Sequence, residues 1–124
     1  MIRVLKTLLI LIAFVILCGF GTYEYKYLIK KENDKIEVSF TKKMNSSDLI
    51  KIKKSLALKG IVIVYKSFYF DKNGGLKSLS FSVDCNDGFK GGASNNDINI
   101  QTKWGFYRDY SENAESPFGT GRLK

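Results

Sequence analysis

Few residues of this chain could do chemistry, and they do not assemble into a catalytic or metal-binding pattern. Histidine, the commonest general base and metal ligand, is absent from the 124 residues. Asp71 and Asn73 match the start of a calcium-binding loop, but Ser82 stands where such a loop requires a bidentate glutamate. Asn-Gly and Gly-Gly in the same stretch favour a tight β-hairpin turn over residues 71–75. We therefore expect a protein that is not an enzyme, with no catalytic residues, no cofactor and no metal site.

The two cysteines and one glycine-rich segment also lack the setting that reactive groups need. Cys18 lies in an apolar segment and Cys85 in a predicted strand, so we do not expect a disulfide between them. Cys85 stands on the apolar side of an alternating pattern, which predicts a small buried side chain rather than a reactive thiol. Residues 88–92 contain three glycines but lack the spacing of a phosphate-binding loop.

Aromatic side chains are the strongest candidates for a functional surface. Tyr65, Tyr69, Trp104 and Tyr107 are of types that recur at protein–protein contacts, because each offers apolar area with a polar group. Such rings also stack on nucleic-acid bases when lysines are near, or they fill a core. We predict that these four residues form an interaction surface, and that truncating Trp104 abolishes binding without unfolding the domain.

One helix and the strand after it must position two of these residues. Residues 46–48 supply side-chain oxygens that can cap the start of a helix. The apolar positions that follow at helical spacing are Leu49, Ile52 and Leu56. Leu58 points away from this stripe, and Gly60 stands where a residue of positive φ ends a helix. Residues 61–70 then form a strand that is apolar on both faces, which predicts packing on both sides; the alternative is that its tyrosine-bearing face is an exposed binding surface.

Alternating apolar and polar residues predict four further strands. They lie at residues 36–41, 79–85, 89–94 and 98–107. The element order is then β-α-β-β-β-β, an α+β domain over residues 36–110 in which one helix packs on one antiparallel sheet. Before this domain, residues 30–35 are expected to form a charged linker, and after it residues 111–124 form an irregular tail.

Residues 1–29 precede the domain and have the pattern of a membrane anchor. Residues 4–23 are almost continuously apolar, which approaches the roughly 20 residues that cross a bilayer core, and tyrosines follow at the expected interface. We predict a single-pass transmembrane helix whose short basic N-terminus stays inside, with the domain exported to the other side of the membrane. Two alternatives remain open: a signal peptide that is cleaved near Gly21, and a lipid anchor at Cys18.

One sequence pattern within residues 36–94 is shared with a known family. The matching residues are Asp48-Leu49, Ile52-Lys-Lys54, Leu56, Lys59-Gly60-Ile61, Tyr65, Asn73, Gly75 and residues 79–83. In these residues the chain resembles the small extracytoplasmic C-terminal domain of antirepressor-type membrane zinc metallopeptidases of some Gram-negative bacteria. The peptidase motif His-Glu-x-x-His is absent. The resemblance therefore implies a stand-alone sensor or interaction domain without proteolytic activity, anchored in the bacterial inner membrane with the domain on the periplasmic side.

Charge and the membrane anchor set the expected function. The formal charge of +8 is spread along the chain, which is typical of a lysine-rich solvated surface rather than of a nucleic-acid site. We expect a membrane-anchored binding or accessory module that docks another membrane or envelope protein. The lipid bilayer is its other partner, through residues 4–23, and neither nucleic acid nor metal is expected. The alternatives are a secreted enzyme inhibitor or small hydrolase released by signal cleavage, and a basic nucleic-acid-binding module.

Overall fold

The computed structural model describes residues 29–32, 34–99 and 101–124, which form one helix and seven strands. In chain order the elements are β1 (Lys30–Glu32), β2 (Lys35–Ser39), α1 (Ser46–Ala57), β3 (Val62–Phe70), β4 (Leu76–Asp84), β5 (Lys90–Asn95), β6 (Trp104–Asp109) and β7 (Phe118–Arg122). The predicted anchor, residues 4–23, lies outside the described residues. Within them, no helix is both long and apolar enough to cross a membrane.

The strands form two antiparallel sheets that share one core. The four-stranded sheet has the order β1-β2-β6-β7, and the three-stranded sheet has the order β3-β4-β5. The predicted α+β class, with one helix and antiparallel strands, is confirmed, but the prediction of a single sheet is wrong. Alternation identifies the buried face of a strand and not its neighbour, so the pairing of β2 with β6 could not be inferred from it. The strand predicted over residues 98–107 begins only at Trp104.

Aromatic rings from both sheets fill the space between them. The ring centre of Phe81, on β4, lies 5.3 Å from that of Trp104 and 6.2 Å from that of Phe106, both on β6. Phe40, which follows β2, lies 5.3 Å from Phe81 and completes the cluster. Tilted and edge-to-face pairs of this kind add about 0.5–1.5 kcal/mol each to the free energy of area burial. Aromatic packing therefore joins the two sheets at the centre of a core that also contains many aliphatic side chains.

Helix α1 begins with a reciprocal pair of hydrogen bonds. The Asn45 side-chain oxygen accepts from the backbone N–H of Asp48, and the Asp48 carboxylate accepts from the backbone N–H of Asn45, both at 3.0 Å. This capping box satisfies two N–H groups that the helix leaves without partners. The cap was predicted within residues 46–48 and in fact begins at Asn45, one residue earlier.

The predicted apolar stripe of α1 and the end of the helix are confirmed. The stripe residues Leu49, Ile52 and Leu56 are all buried, whereas Leu58 is 87% exposed. Gly60 has a φ of +79°, the left-handed conformation that disfavours every residue with a Cβ. The helix therefore contributes one face to the core and leaves the other in solvent.

The connection between β3 and β4 is the predicted hairpin turn. The Asp71 carboxylate accepts hydrogen bonds from the backbone N–H groups of Asn73 and Gly75, at 2.9 and 3.0 Å. A short acidic side chain that bonds its own backbone in this way stabilises a turn without any ligand. The aspartate that matches the first position of a calcium loop therefore has a structural role here.

Two segments predicted to be irregular contain strands. β1 lies within the predicted linker, residues 30–35, and β7 within the predicted tail, residues 111–124. In β7, Gly119 pairs with Tyr107, and a Cβ on Gly119 would lie only 2.6 Å from the Tyr107 ring. Glycine is required at that position, and it removes the alternation by which a strand is recognised. Both strands lie at sheet edges, where backbone pairing rather than an apolar face defines them.

Candidate functional site

Trp104 lies in the core and not on a surface. It is 6% exposed and its ring packs against the rings of Phe40 and Phe81, at 6.0 and 5.3 Å. The prediction that Trp104 belongs to an interaction surface is therefore wrong. It sits at the start of β6 with its ring turned into the aromatic cluster between the two sheets, so its polar N–H does not make it a surface residue.

Tyr107 lies on the four-stranded sheet, where its own chain surrounds it. The Lys35 ammonium group is 4.7 Å from the centre of the Tyr107 ring, and Gly119 of the next strand lies against the ring. The Tyr107 hydroxyl is hydrogen-bonded to the Ser116 hydroxyl. These contacts leave the ring half-buried, with little apolar area for a partner.

Tyr65 and Tyr69 lie on the three-stranded sheet, away from Tyr107. The Tyr65 hydroxyl donates a hydrogen bond to the backbone carbonyl of Leu49, at 2.7 Å, and burial raises the pKa of this hydroxyl well above its usual range. Tyr69 is 62% exposed. The structure thus does not bring the four predicted residues together. Trp104 lies in the core, Tyr107 on the four-stranded sheet, and Tyr65 and Tyr69 on the three-stranded sheet.

Exposed apolar side chains are concentrated on α1 and β3. Among the described residues, six of the seven large apolar side chains that are exposed lie on α1, in the turn after it, or on β3. These six are Ile50, Leu58, Val62, Val64, Phe68 and Tyr69. The prediction that β3 is packed on both faces is therefore wrong, because Val62, Val64 and Tyr69 leave one face of the strand exposed. These side chains lie on two faces of the sheet: Ile50 and Phe68 are on the side of α1, whereas Val62, Val64 and Tyr69, which pair with Asp84, Ser82 and Ser78, are on the opposite side. Exposed apolar side chains that line a concave surface are the stronger mark of an interaction site.

An apolar groove runs between α1 and β3. We call it the α1–β3 groove, and its volume is about 490 Å³. Its lining residues are Ser46, Leu49, Ile50, Lys53, Lys54, Ala57, Tyr65 and Phe68. Leu49 is buried at its base, whereas Ile50 and Phe68 are 55% and 53% exposed at its sides. The groove therefore offers apolar area that no described residue covers.

A β-bulge in β3 creates one wall of this groove. The register of β3 with β4 shifts after Tyr65, and Lys66 has no pairing partner there. Because of this extra residue, Tyr65 stands opposite Phe81 and Phe68 stands opposite Leu79, both of which are buried residues of β4. Tyr65 and Phe68 thus share the face of the sheet on which α1 packs. Without the bulge, Phe68 would point to the opposite face.

The rim of the groove is positively charged. The segment from Ser46 to Phe70 contains five lysines and a single acidic residue, Asp48. The Asp48 carboxylate is hydrogen-bonded to the backbone of Asn45, at the start of the helix. Lys53 and Lys54 line the groove with their side chains exposed. A cleft that combines apolar walls with charges of one sign attracts ligands of the opposite charge.

The two edges of the three-stranded sheet differ. Strand β5 forms one edge, and there the Thr120 hydroxyl of β7 donates a hydrogen bond to the Gly92 carbonyl, at 3.0 Å. Strand β3 forms the other edge and is nine residues long. Among the described strands, only β4 pairs with β3. An edge of this length presents unpaired backbone N–H and C=O groups to which an extended chain can bind.

A cluster of polar and aromatic side chains surrounds Arg108, and its contacts stabilise the fold. Arg108 is only 9% exposed, and its Nε donates to the Asp87 carboxylate at 2.8 Å. The guanidinium lies 4.4 Å from the ring centres of both Phe89 and Tyr110. It also donates to two backbone carbonyls, one of them that of Pro117. These contacts with its own chain tie the loop before β5 to β6 and leave the guanidinium committed to the fold.

Cys85 lies beside this cluster and is not suited to nucleophilic chemistry. Its side chain is buried, and burial, reinforced by the charge of Asp87, raises the pKa of the Cys85 thiol to about 11. At neutral pH the thiol therefore stays protonated, and the protonated form is a weak nucleophile. Within the described part of the chain, no three histidine, cysteine or acidic side chains are grouped as a metal site would require.

Comparison with known proteins identifies no family or relative of this chain. No protein-family model matches the chain, no curated protein matches it, and no solved structure matches its fold. The resemblance to the domain of membrane zinc metallopeptidases therefore rests on the sequence pattern alone.

Ile50 and Phe68 are the groove residues that the sequence did not single out. Ile50 flanks the apolar stripe of α1, and alternation counted without the bulge places Phe68 on the same face as Val62 and Val64. The available signal was the polar pair Lys66-Ser67, which interrupts an otherwise apolar strand. Such an interruption is typical of a bulge at a sheet edge.

Proposed function

We propose that this protein is a membrane-anchored binding module whose domain docks another envelope protein through the α1–β3 groove. The observation that carries the proposal is the groove itself, with Ile50 and Phe68 about half exposed in its walls. Aromatic and aliphatic side chains that stay exposed around a concave surface are the usual anchors of protein–protein recognition. Nucleic acid fits less well, because the lining is mostly apolar and base-reading or phosphate contacts need many polar donors.

The anchor in this proposal is the apolar segment of residues 4–23. Its length and the tyrosines after it support a single transmembrane helix. The family resemblance supports the bacterial inner membrane as its location, with the domain in the periplasm. Confinement to the membrane raises the effective concentration of the domain near other membrane proteins, so a groove of modest affinity suffices. The resemblance to an extracytoplasmic domain of membrane peptidases supports the same role, as a sensor or accessory subunit.

Photocrosslinking in cells tests the docking surface. Replacing Phe68 by p-benzoylphenylalanine places a photoreactive group in the groove, while the same replacement of Tyr110, an exposed aromatic residue outside it, is the matched control. We expect a crosslink to one envelope protein, identified by mass spectrometry, from position 68 and not from position 110. Equal crosslinking from both positions, or none from position 68, contradicts the proposal.

Cell fractionation with N-terminal sequencing tests the anchor separately. We expect the full chain, beginning at Met1, in the membrane fraction. A soluble chain that begins near Gly21 would instead support the secreted alternative, in which the domain acts away from the membrane.

A further inference from the structure

We infer that the occupant of the α1–β3 groove is an extended, acidic segment of the partner protein, which pairs as an added strand with the free edge of β3. This inference rests on the proposed function and specifies the chemistry of the partner. Three observations carry it: the edge of β3 with which no described strand pairs, the position of the groove beside that edge, and the charge of the groove rim.

The free edge and the groove are arranged so that one extended chain can use both. Helix α1 packs on β3, and the Leu49 backbone carbonyl of the helix accepts a hydrogen bond from the Tyr65 hydroxyl of the strand. The helix therefore lies over the edge strand. A chain that paired with β3 would turn alternate side chains to each face of the sheet. Those on the inner face would enter the groove beside Tyr65 and Phe68, opposite Ile50. Backbone hydrogen bonds to β3 would then provide affinity, and the groove would select among the side chains of the partner segment.

The length of the groove sets how many anchors the partner has. The strand side of the lining runs from Tyr65 to Phe68, about 10 Å along β3 at about 3.3 Å per residue. Side chains on one face of a strand recur about every 6.6 Å. The groove therefore accommodates about two inward-facing apolar side chains, at positions i and i+2 of the partner segment.

The charge of the rim favours an acidic partner over a second copy of this chain. Lys53 and Lys54 line the groove and Lys66 stands in the bulge of β3, all three with exposed side chains. If the β3 edges of two copies paired, two lysine-rich segments with one aspartate each would come together, and like charges would oppose the contact. Aspartate or glutamate beside the apolar anchors would instead meet these lysines.

The shape of the groove also favours a peptide over a lipid surface. Leu49 forms part of the lining yet is only 3% exposed, so a ligand reaches it only by entering between α1 and β3. A flat bilayer contacts protruding side chains and does not reach such a base. A single extended chain does.

Peptide selection on the full chain, held in lipid nanodiscs, tests this inference. The probe is a phage-displayed library of random peptides as long as β3, nine residues. We expect the selected peptides to carry apolar residues at alternate positions with aspartate or glutamate next to them. N-methylation of a selected peptide, one residue at a time, should abolish binding at every second position, because only alternate N–H groups face β3.

Substitutions in the protein give a second readout. The double variant Lys53→Glu, Lys54→Glu should weaken peptide binding about tenfold, because two exposed ion pairs are lost and two like-charge contacts replace them. The matched control is the double variant Lys90→Glu, Lys103→Glu, which changes the net charge by the same amount at two exposed lysines outside the groove and should leave the affinity unchanged. Equal losses in the two variants would mean that net charge and not the groove rim is recognised, which would overturn the inference.

Other outcomes of the same measurements also overturn it. Selected peptides with apolar residues at helical spacing, or an N-methylation profile without a period of two, exclude an added strand. Binding that requires only phosphatidylglycerol vesicles, or a groove-dependent dimer of the chain, identifies a different occupant. If no peptide is selected while position 68 still crosslinks to an envelope protein in cells, this inference fails and the proposed function stands. If strand-forming peptides are selected but no cellular crosslink forms, the proposed function fails.

Discussion

Trp104 and Phe68 are both large aromatic residues of β strands, and their surroundings give them different roles. Trp104 is 6% exposed and packs between rings of both sheets, whereas Phe68 is 53% exposed in the wall of the α1–β3 groove. Trp104 is the residue type that is more enriched at interfaces, yet it is the one in the core. Burial is decided by what packs on each face of the strand, and residue type alone does not determine it.

The largest loss of stability is expected from substitution of Trp104. Trp104→Ala should lower the free energy of unfolding by about 3–5 kcal/mol, because the cavity left in the aromatic cluster cannot collapse fully. Phe68→Ala should lower it by only about 1 kcal/mol, since half of that side chain is already in solvent. Chemical denaturation of both variants measures the difference. Similar losses in the two would mean that the groove wall belongs to the core.

A smaller contrast is expected between two leucines of the helix region. Leu56→Ala should cost about 2–4 kcal/mol, because Leu56 is fully buried on the face of α1 that packs against the sheet. Leu58→Ala should change stability by less than about 0.5 kcal/mol, because the side chain is 87% exposed. Equal melting temperatures for the two variants would show that the buried face of α1 is assigned incorrectly.

Substitutions of Gly60 should change stability through backbone strain and not through packing. It has a φ of +79°, and a Cβ added there would meet no atom within 4 Å. Gly60→Val should therefore lower the free energy of unfolding by about 1–2 kcal/mol through strain alone. Gly60→Asn, whose side chain tolerates the left-handed region, should cost less. If valine and asparagine cost the same in thermal denaturation, strain is not the cause.

A pH dependence of stability is expected at Cys85. Burial raises the pKa of this thiol from 9.0 to about 11, so the folded state holds its proton more tightly than the unfolded state does. The contribution of Cys85 to stability should therefore be constant below about pH 9 and fall as the pH rises towards about 11. Stability curves of the parent chain and of Cys85→Ala should diverge only in that range. Parallel curves throughout would refute the shift.

Local features of the fold could be predicted from the sequence, and long-range features could not. The apolar stripe of α1, the end of the helix at Gly60 and the turn after β3 follow from side chains and backbone preferences within a few residues. The partition into two sheets depends on which distant strands pair, and strand β7 has a glycine where alternation would show.

The candidate site could not be predicted from the sequence, for a related reason. Tyr65 was predicted as a surface residue and does line the groove, but Phe68 reaches the same face only because Lys66 forms a bulge in β3. A bulge shifts every later side chain of a strand to the opposite face, so a simple count of alternation misplaces Phe68. The depth of the groove also depends on how α1 packs on β3, which is a tertiary contact that no sequence pattern encodes.

The docking surface that we propose is the α1–β3 groove, and not exposed apolar area in general. Ile50 and Leu58 provide a matched pair, because both are exposed apolar residues of the helix region and only Ile50 lines the groove. The measurement is the yield of the envelope-protein crosslink from position 68 in the variants Ile50→Asp and Leu58→Asp, with folding checked by circular dichroism. We expect Ile50→Asp to abolish the crosslink and Leu58→Asp to leave it unchanged. Equal yields in the two folded variants would contradict the claim.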